Sequence, residues 1–252
     1  RDVERSRGLG DVYKRQNIAL VIAGGLGARM GQDIPKQFLH VYDKPIIIYT
    51  LEAFQKCQEI DAIEVVCIDG WHDALKAYAR QFGIAKLENV VSGGLNGQDS
   101  IHNGLYDIVA RHNNDDDIVL IHDAIRPMVS SDIIDRNIET CKKYGNAITV
   151  IPCNAAMLKT YNGIETEEQV PRDNLKETQT PQTFYLKDIW AAHKEALDRG
   201  ITSSVASCTM YIELGRKLWM CNGSEKNIKL TTTEDIEIFK SLLSSKKDEW
   251  LR

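Results

Sequence analysis

Between Asn17 and Pro152 strand-length apolar runs alternate with helix-period segments, and this rhythm leaves few architectures open. Residues 18–23, 62–68, 89–91, 118–121 and 147–152 read as strands. Residues 45–54, 71–82, 100–111 and 131–144 read as helices, the last behind a Ser-Ser-Asp cap signal. Runs such as 18–23 are apolar on both faces and so need cover on both faces. Connections of helix length return the chain to lay successive strands parallel. The expectation is an α/β fold: a mostly parallel, twisted sheet with helices on both sides. At 252 residues and 43% hydrophobic, the chain can build one such core.

The rhythm breaks over about 154–182. There KTYNGIETEEQVPRDN is short-patterned, polar and turn-rich, and Asn162-Gly163 between 159–161 and 164–166 signals a hairpin. A protruding β-arm with so few apolar residues buries no core of its own, so it must pack on something, a second subunit being one candidate. Regular structure resumes at 186–197 and 205–212, then a strand at 217–221 and a last helix from Thr233 to about Ser245.

Other features narrow the class. No apolar run approaches the ~20 residues of a membrane span, and no signal peptide is visible. A net charge of −5 offers no bulk attraction to nucleic acid. Six cysteines without a C-x-x-C pair read as reduced thiols of a cytoplasmic protein. Residues 1–16, RDVERSRGLGDVYKRQ, carry five cations against three anions and little apolar periodicity. They read as a non-native or disordered leader, and 17–252 as a single domain.

The first strand ends in an unusual turn. LVIAGGLGARMGQDIPKQF, from Leu20 to Phe38, runs from apolar residues into Ala23, Gly24, Gly25, Leu26 and Gly27, then presents Arg29 and Lys36. Open α/β sheets bind ligands at the carboxyl ends of their strands. Glycines there let backbone N–H groups form an anion-binding concavity, and two cations add what phosphates require. The G-x-x-x-x-G-K-[ST] spacing of a P-loop is absent. A dinucleotide fingerprint would need glycine where Met30 stands and an acidic residue well before Asp69. A nucleoside triphosphate held by the loop, Arg29 and Lys36 fits better; a plain strand–helix turn with solvated cations is the alternative.

Four more segments follow in order: Gly93-Gly94 with Asp99-Ser100-Ile101, HDAIRP from His122 to Pro127, QTPQTF from Gln179 to Phe184, and NIKLTTTED from Asn227 to Asp235. With the opening G-G-x-G-x-R-M…P-K-Q-F signature, this set resembles the CTP-dependent polyol-phosphate cytidylyltransferases over roughly 220 residues. One branch of that family acts on methylerythritol 4-phosphate, another on ribitol 5-phosphate or related polyol phosphates. The resemblance implies a Rossmann-like nucleotidyltransferase fold, CTP and a polyol phosphate as substrates, Mg²⁺ as cofactor, and a homodimer formed through the arm. By the same match Arg29, Lys36 and Lys229 would be catalytic. Ala23 to Gly27 with Gly93, Gly94 and Ser100 would enclose the nucleotide. Asp123, Arg126, Arg172 and Thr180 would serve the acceptor, with Asp123 also a candidate metal ligand and Arg172 acting across the dimer interface.

The implied reaction needs no general base, because a phosphomonoester is already largely a dianion at pH 7. Two polyanions must meet while charge builds on the α-phosphate and the leaving group, which calls for Arg and Lys rather than a His–carboxylate pair. His122 accordingly reads as a hydrogen-bonded structural histidine. Departures from the methylerythritol branch fall on the acceptor side: Leu95 and Gly97 after the glycine pair, Ala155-Ala156 before the arm, and Ser203-Ser204-Val205-Ala206-Ser207 where that branch carries an aspartate. They favour ribitol 5-phosphate over methylerythritol 4-phosphate. A sugar-1-phosphate nucleotidyltransferase shares only the opening signature, and a catalytically dead homologue would have little reason to keep Arg29, Lys36 and Lys229.

Overall fold

The computed structural model describes residues 15–25, 34–112 and 114–248. Its strands and helices follow in the order β1 (Asn17–Ala23), β2 (His40–Val41), β3 (Lys44–Pro45), α1 (Ile46–Lys56), β4 (Ala62–Cys67), α2 (His72–Gln81), β5 (Leu87–Ser92), α3 (Gly97–Arg111), β6 (Ile118–Asp123), α4 (Ser131–Tyr144), β7 (Asn146–Pro152), β8 (Met157–Lys159), β9 (Glu168–Val170), β10 (Lys176–Tyr185), α5 (Leu186–Asp198), α6 (Ser207–Glu213), β11 (Met220–Asn222) and α7 (Thr233–Asp248). Seven strands form one sheet in the order β11-β7-β10-β6-β1-β4-β5. β1, β4, β5 and β6 run parallel, as do β7 and β11. The expected α/β fold, a mostly parallel sheet with helices on both sides, holds.

Alternate residues of β1 serve two cores. Ala19, Val21 and Ala23 join Leu51, Phe54, Leu75 and Ile134 from α1, α2 and α4. Ile18 and Leu20 join Leu105, Ile108 and Ile189 from α3 and α5. That is the double cover an all-apolar strand demands. α3 lies very close to the sheet, since a Cβ on Gly104 would strike Leu20 and Val66. A third cluster, including Val41, Ile46, Ile125, Leu230 and Phe239, seats α7. The six cysteines are free thiols, five of them buried.

Two differences from the sequence reading matter. The arm is shorter than 154–182, because Lys176–Tyr185 is a strand of the main sheet, antiparallel to both β6 and β7. Periodicity hid it: Gln179, Gln182 and Thr183 are buried, so its inward face is polar. The β7 ladder breaks between Thr178 and Gln182, where Pro181 offers no N–H. The arm itself is the β8–β9 ribbon, and Asn162-Gly163 sits within an eight-residue loop rather than a two-residue turn. The Asn162 carboxamide oxygen accepts from the N–H groups of Ile164 (2.9 Å) and Glu165 (3.2 Å), which opens that loop out.

Candidate active site

Parallel register brings three strand ends together. Ile22 of β1 lies beside Asp123 of β6, and Ala23 beside Cys67 of β4. Beyond β1 the chain continues into Gly24-Gly25. Beyond β5 it enters Gly93-Gly94, whose first N–H bonds the Cys67 carbonyl at 3.0 Å. The two glycine pairs touch: a Cβ on Gly93 would lie 3.4 Å from the Gly24 Cα, and one on Gly24 only 3.1 Å from Ser100 Oγ. Side chains are excluded so that two backbones and a hydroxyl can close one wall.

Ser100 shapes this wall more than it offers a free group. Its hydroxyl donates to the Asn96 carbonyl (2.8 Å) and accepts from the Gly94 N–H (3.0 Å). On the other side Gln37, buried in the Pro-Lys-Gln-Phe turn, donates from Nε2 to the carbonyls of Ala23 (2.7 Å) and Gly25 (3.1 Å). Phe38 stacks on Trp71 at 4.5 Å and anchors that turn. Lys36 is thereby carried to the mouth of a cavity of about 330 Å³ lined also by Gly24, Gly25, Gly94, Leu95 and Ser100.

A second cavity, of about 270 Å³, adjoins the first and shares Ile22, Gly97, Asp123 and Lys229 with it. Its walls include Arg126, Thr180, Gln182, Val205 and Ser207. At the junction Asp123 Oδ2 accepts from Arg126 Nε (3.2 Å) and pairs with Lys229 Nζ (3.1 Å). Burial by itself would raise the Asp123 carboxyl, but the attraction of Lys229 and Arg126 outweighs it and holds the group below the usual carboxylate range. Arg126, almost buried, also donates to the Asn227 carbonyl at 2.8 Å and so ties β6 to the segment bearing Lys229. Asn227 in turn donates to the Thr180 carbonyl (2.9 Å).

Behind the junction His122 is fully buried. Its Nε2–H donates to the Arg126 carbonyl at 3.1 Å, which leaves Nδ1 to accept from the Thr180 hydroxyl at 3.0 Å. The Thr180 oxygen meanwhile accepts from the Asp123 N–H (3.1 Å). Burial pushes the imidazole down to about 4, so it is neutral at pH 7 in this one tautomer. It is a bolt rather than a base.

Thus Ala23, Gly24, Gly25, Lys36, Gly94, Ser100, Asp123, Arg126, Thr180 and Lys229 all line one of the two cavities, with Gly93 packed on Gly24. Leu26, Gly27 and Arg29 lie outside the described residues. Arg172 lies apart, in a single turn at the base of the arm, donating from Nη1 to the Asn154 carbonyl at 3.1 Å. Gln37 and Asn227 had no role in the sequence reading. Gln37 serves the carbonyls of the glycine turn and Asn227 the Thr180 carbonyl, a need that becomes visible only by asking where such carbonyls find donors.

Asp123 is the only carboxylate among the described residues lining either cavity. Among the described residues no cluster of three or more His, Cys, Asp or Glu exists that could hold a metal alone. The contacts of Asp123 with Arg126 and Lys229 both fall on Oδ2. Such a donor set suits Mg²⁺ bound jointly by one carboxylate and substrate phosphates.

Comparison with known proteins follows this geometry. Residues 17–245 match the family model described as IspD, 2-C-methyl-D-erythritol 4-phosphate cytidylyltransferase. A ribitol-5-phosphate cytidylyltransferase of Lacticaseibacillus paracasei is 42% identical over 91% of this chain and 98% of its own. A 2-C-methyl-D-erythritol 4-phosphate cytidylyltransferase of Geotalea uraniireducens is 36% identical over 92% and 98%. The crystal structure of 4-diphosphocytidyl-2C-methyl-D-erythritol synthase from Anaerococcus prevotii superposes with a TM-score of 0.77, covering 91% of this chain and 99% of that one at 23% identity, a likeness of fold.

Proposed function

Since the chain belongs to the IspD cytidylyltransferase family, we propose that it transfers CMP from CTP to D-ribitol 5-phosphate, releasing pyrophosphate and a CDP-polyol of the kind used for teichoic acid or capsule. The observation that carries the reading is the pair of adjoining cavities meeting at Asp123 and Lys229: one walled by glycine backbone, the other by polar side chains. The first suits a nucleotide and the second a polyol phosphate.

In the reaction an acceptor phosphate oxygen bonds to the α-phosphorus of CTP while the bond from that phosphorus to the bridging oxygen of the β-phosphate breaks. Lys229 keeps one contact to Asp123 and, as an ammonium with three donors, has others for phosphate oxygens. Arg126 and the His122–Thr180 pair hold Asp123 still, so little reorganisation is needed as charge develops. Lys36 lines the nucleotide cavity, where it would meet the triphosphate. Arg29 takes the same role by resemblance. Asp123 would hold Mg²⁺; when bound, the ion supplies charge neutralisation between the phosphates. Arg172 would reach the acceptor phosphate of a second protomer, in a homodimer formed through the arm. That arm leaves Leu158, Tyr161 and Ile164 exposed, as a segment awaiting a partner would. Among the described residues no helix is long and apolar enough to cross a membrane. With free thiols and phosphorylated substrates, this fits a cytoplasmic enzyme.

The acceptor preference rests on the 42% identical ribitol-5-phosphate relative and on the departures at Leu95, Ala155-Ala156 and 203–207. Pyrophosphate release from CTP and Mg²⁺, measured in parallel with ribitol 5-phosphate and methylerythritol 4-phosphate, tests it. Turnover with ribitol 5-phosphate alone is expected. Turnover with methylerythritol 4-phosphate alone would move this chain to isoprenoid synthesis.

A further inference from the structure

Among the described residues around the second cavity, one buried polar side chain has no hydrogen-bond partner. Ser207 is 3% exposed and lines that cavity, and its Oγ is buried without any hydrogen bond. Among the described residues lining the cavity it is the single buried orphan. Such a hydroxyl is unfavourable relative to a satisfied one. Its position is nevertheless firmly held. On one side Gln98 donates to the Ile201 carbonyl (2.6 Å) and accepts from the Ser204 N–H (2.9 Å). On the other, the Cys208 N–H donates to Gln182 Oε1 at 2.9 Å. Between these anchors Val205 is 93% exposed, an apolar side chain at the cavity edge with nothing covering it.

We propose that Ser207 is a specificity residue for the acceptor: its Oγ, packed away from the cavity in the free protein, turns about χ1 to pair with a hydroxyl of the polyol chain while Val205 covers the chain's C–H face. This rests on the cytidylyl-transfer reading above. The chemistry matches on both counts. A polyol hydroxyl is donor and acceptor at once, as Ser207 needs, and it lies on a carbon backbone whose C–H groups suit Val205. The phosphate end of the same molecule would face Lys229, which lines this cavity too. Ser207 would therefore read the acceptor's hydroxyls and leave CTP untouched.

The experiment compares wild type with Ser207→Ala, using CTP, Mg²⁺, ribitol 5-phosphate and a set of single-deoxy ribitol 5-phosphates. Expected are a fall of about tenfold in kcat/KM for ribitol 5-phosphate, a CTP KM within twofold, and an unchanged or higher Tm, since removing an orphan hydroxyl relieves the fold. One deoxy analogue should lose as much with wild type and nothing further with the variant. An unchanged acceptor KM, equal losses for every analogue, or a lowered Tm would each overturn the assignment. The wild type is read first. If it turns over only methylerythritol 4-phosphate, the ribitol reading fails, and Ser207 is judged by the same variant on that acceptor. A second variant, Val205→Asp, should raise the acceptor KM several-fold with CTP unaffected, because it sets an anion beside a phosphorylated acceptor; no change would count against the covering role.

Discussion

Three residues with different kinds of contact predict different losses. Lys229 is the exposed ammonium at the meeting point of the two cavities, and its side chain is 43% accessible. Lys229→Ala should lower kcat by about 10²-fold or more, the scale for losing a donor to developing charge, with the fold intact by circular dichroism; near-normal turnover would remove it from the machinery. Thr180 works inward. Its hydroxyl is shared between the His122 imidazole and the Asp123 N–H, so Thr180→Val leaves two buried polar atoms unpartnered. A loss of about 1–3 kcal/mol in urea unfolding should result, together with slower turnover as Asp123 loosens. Arg172 touches neither cavity of its own chain. Arg172→Ala should raise the acceptor KM and leave the CTP KM alone; equal effects on both would place it elsewhere.

At the level of elements, the arm is the piece whose sequence and surroundings disagree most. Among the described residues β8 and β9 pair only with each other, and Ile164 at their tip is 89% exposed. Two short strands do not hold an apolar tip in water without help. Ile164→Asp, placed where no described residue packs, should leave the monomer's stability unchanged but shift sedimentation from dimer to monomer and raise the acceptor KM. A dimer that persists with Tyr161→Asp added would show that the arm is not the interface. β10 makes the complementary point. Its ten residues are the last an alternating-hydrophobicity reading would choose, yet it carries Gln179, Thr180 and Gln182 into the centre of the sheet. A strand whose inward face builds a polar site cannot advertise itself by apolar alternation.

For the whole molecule, acid sensitivity follows from buried imidazoles, His122 behind the site and His193 away from it. His193 in α5 is 1% exposed; burial, with His102 adjacent, pushes it down to about 3. Its folded pKa lies below the unfolded value of about 6.5, so the unfolded chain binds the extra proton. Its contribution to stability is therefore complete above about pH 6.5 and is lost as pH falls toward 3, at up to about 1.4 kcal/mol per pH unit. His122, held down to about 4, adds a slope of the same sign over the same range, so urea unfolding between pH 7 and 5 should show both, and His193→Leu should remove about half of the fall; an unaltered slope would exclude His193 as a cause. Helical spacing puts this histidine on the apolar stripe of Leu186, Ile189 and Ala196, but the sequence says nothing of the packing with His102 that helps hold it neutral. The same division holds throughout the chain. Composition and periodicity by themselves determined the alternating α/β order and the glycine turn with Lys36 after the first strand, because these are set by local backbone preference and residue chemistry; Gly93 and Lys229 were singled out only by the family resemblance. Tertiary structure alone decided that Arg126 and Thr180 turn inward to hold Asp123, that Gln37 serves the glycine loop, that β10 is a central strand and that Ser207 is left unpartnered. Those outcomes depend on pairings across tens to a hundred residues, such as Arg126 with Asn227, which no window along the sequence contains.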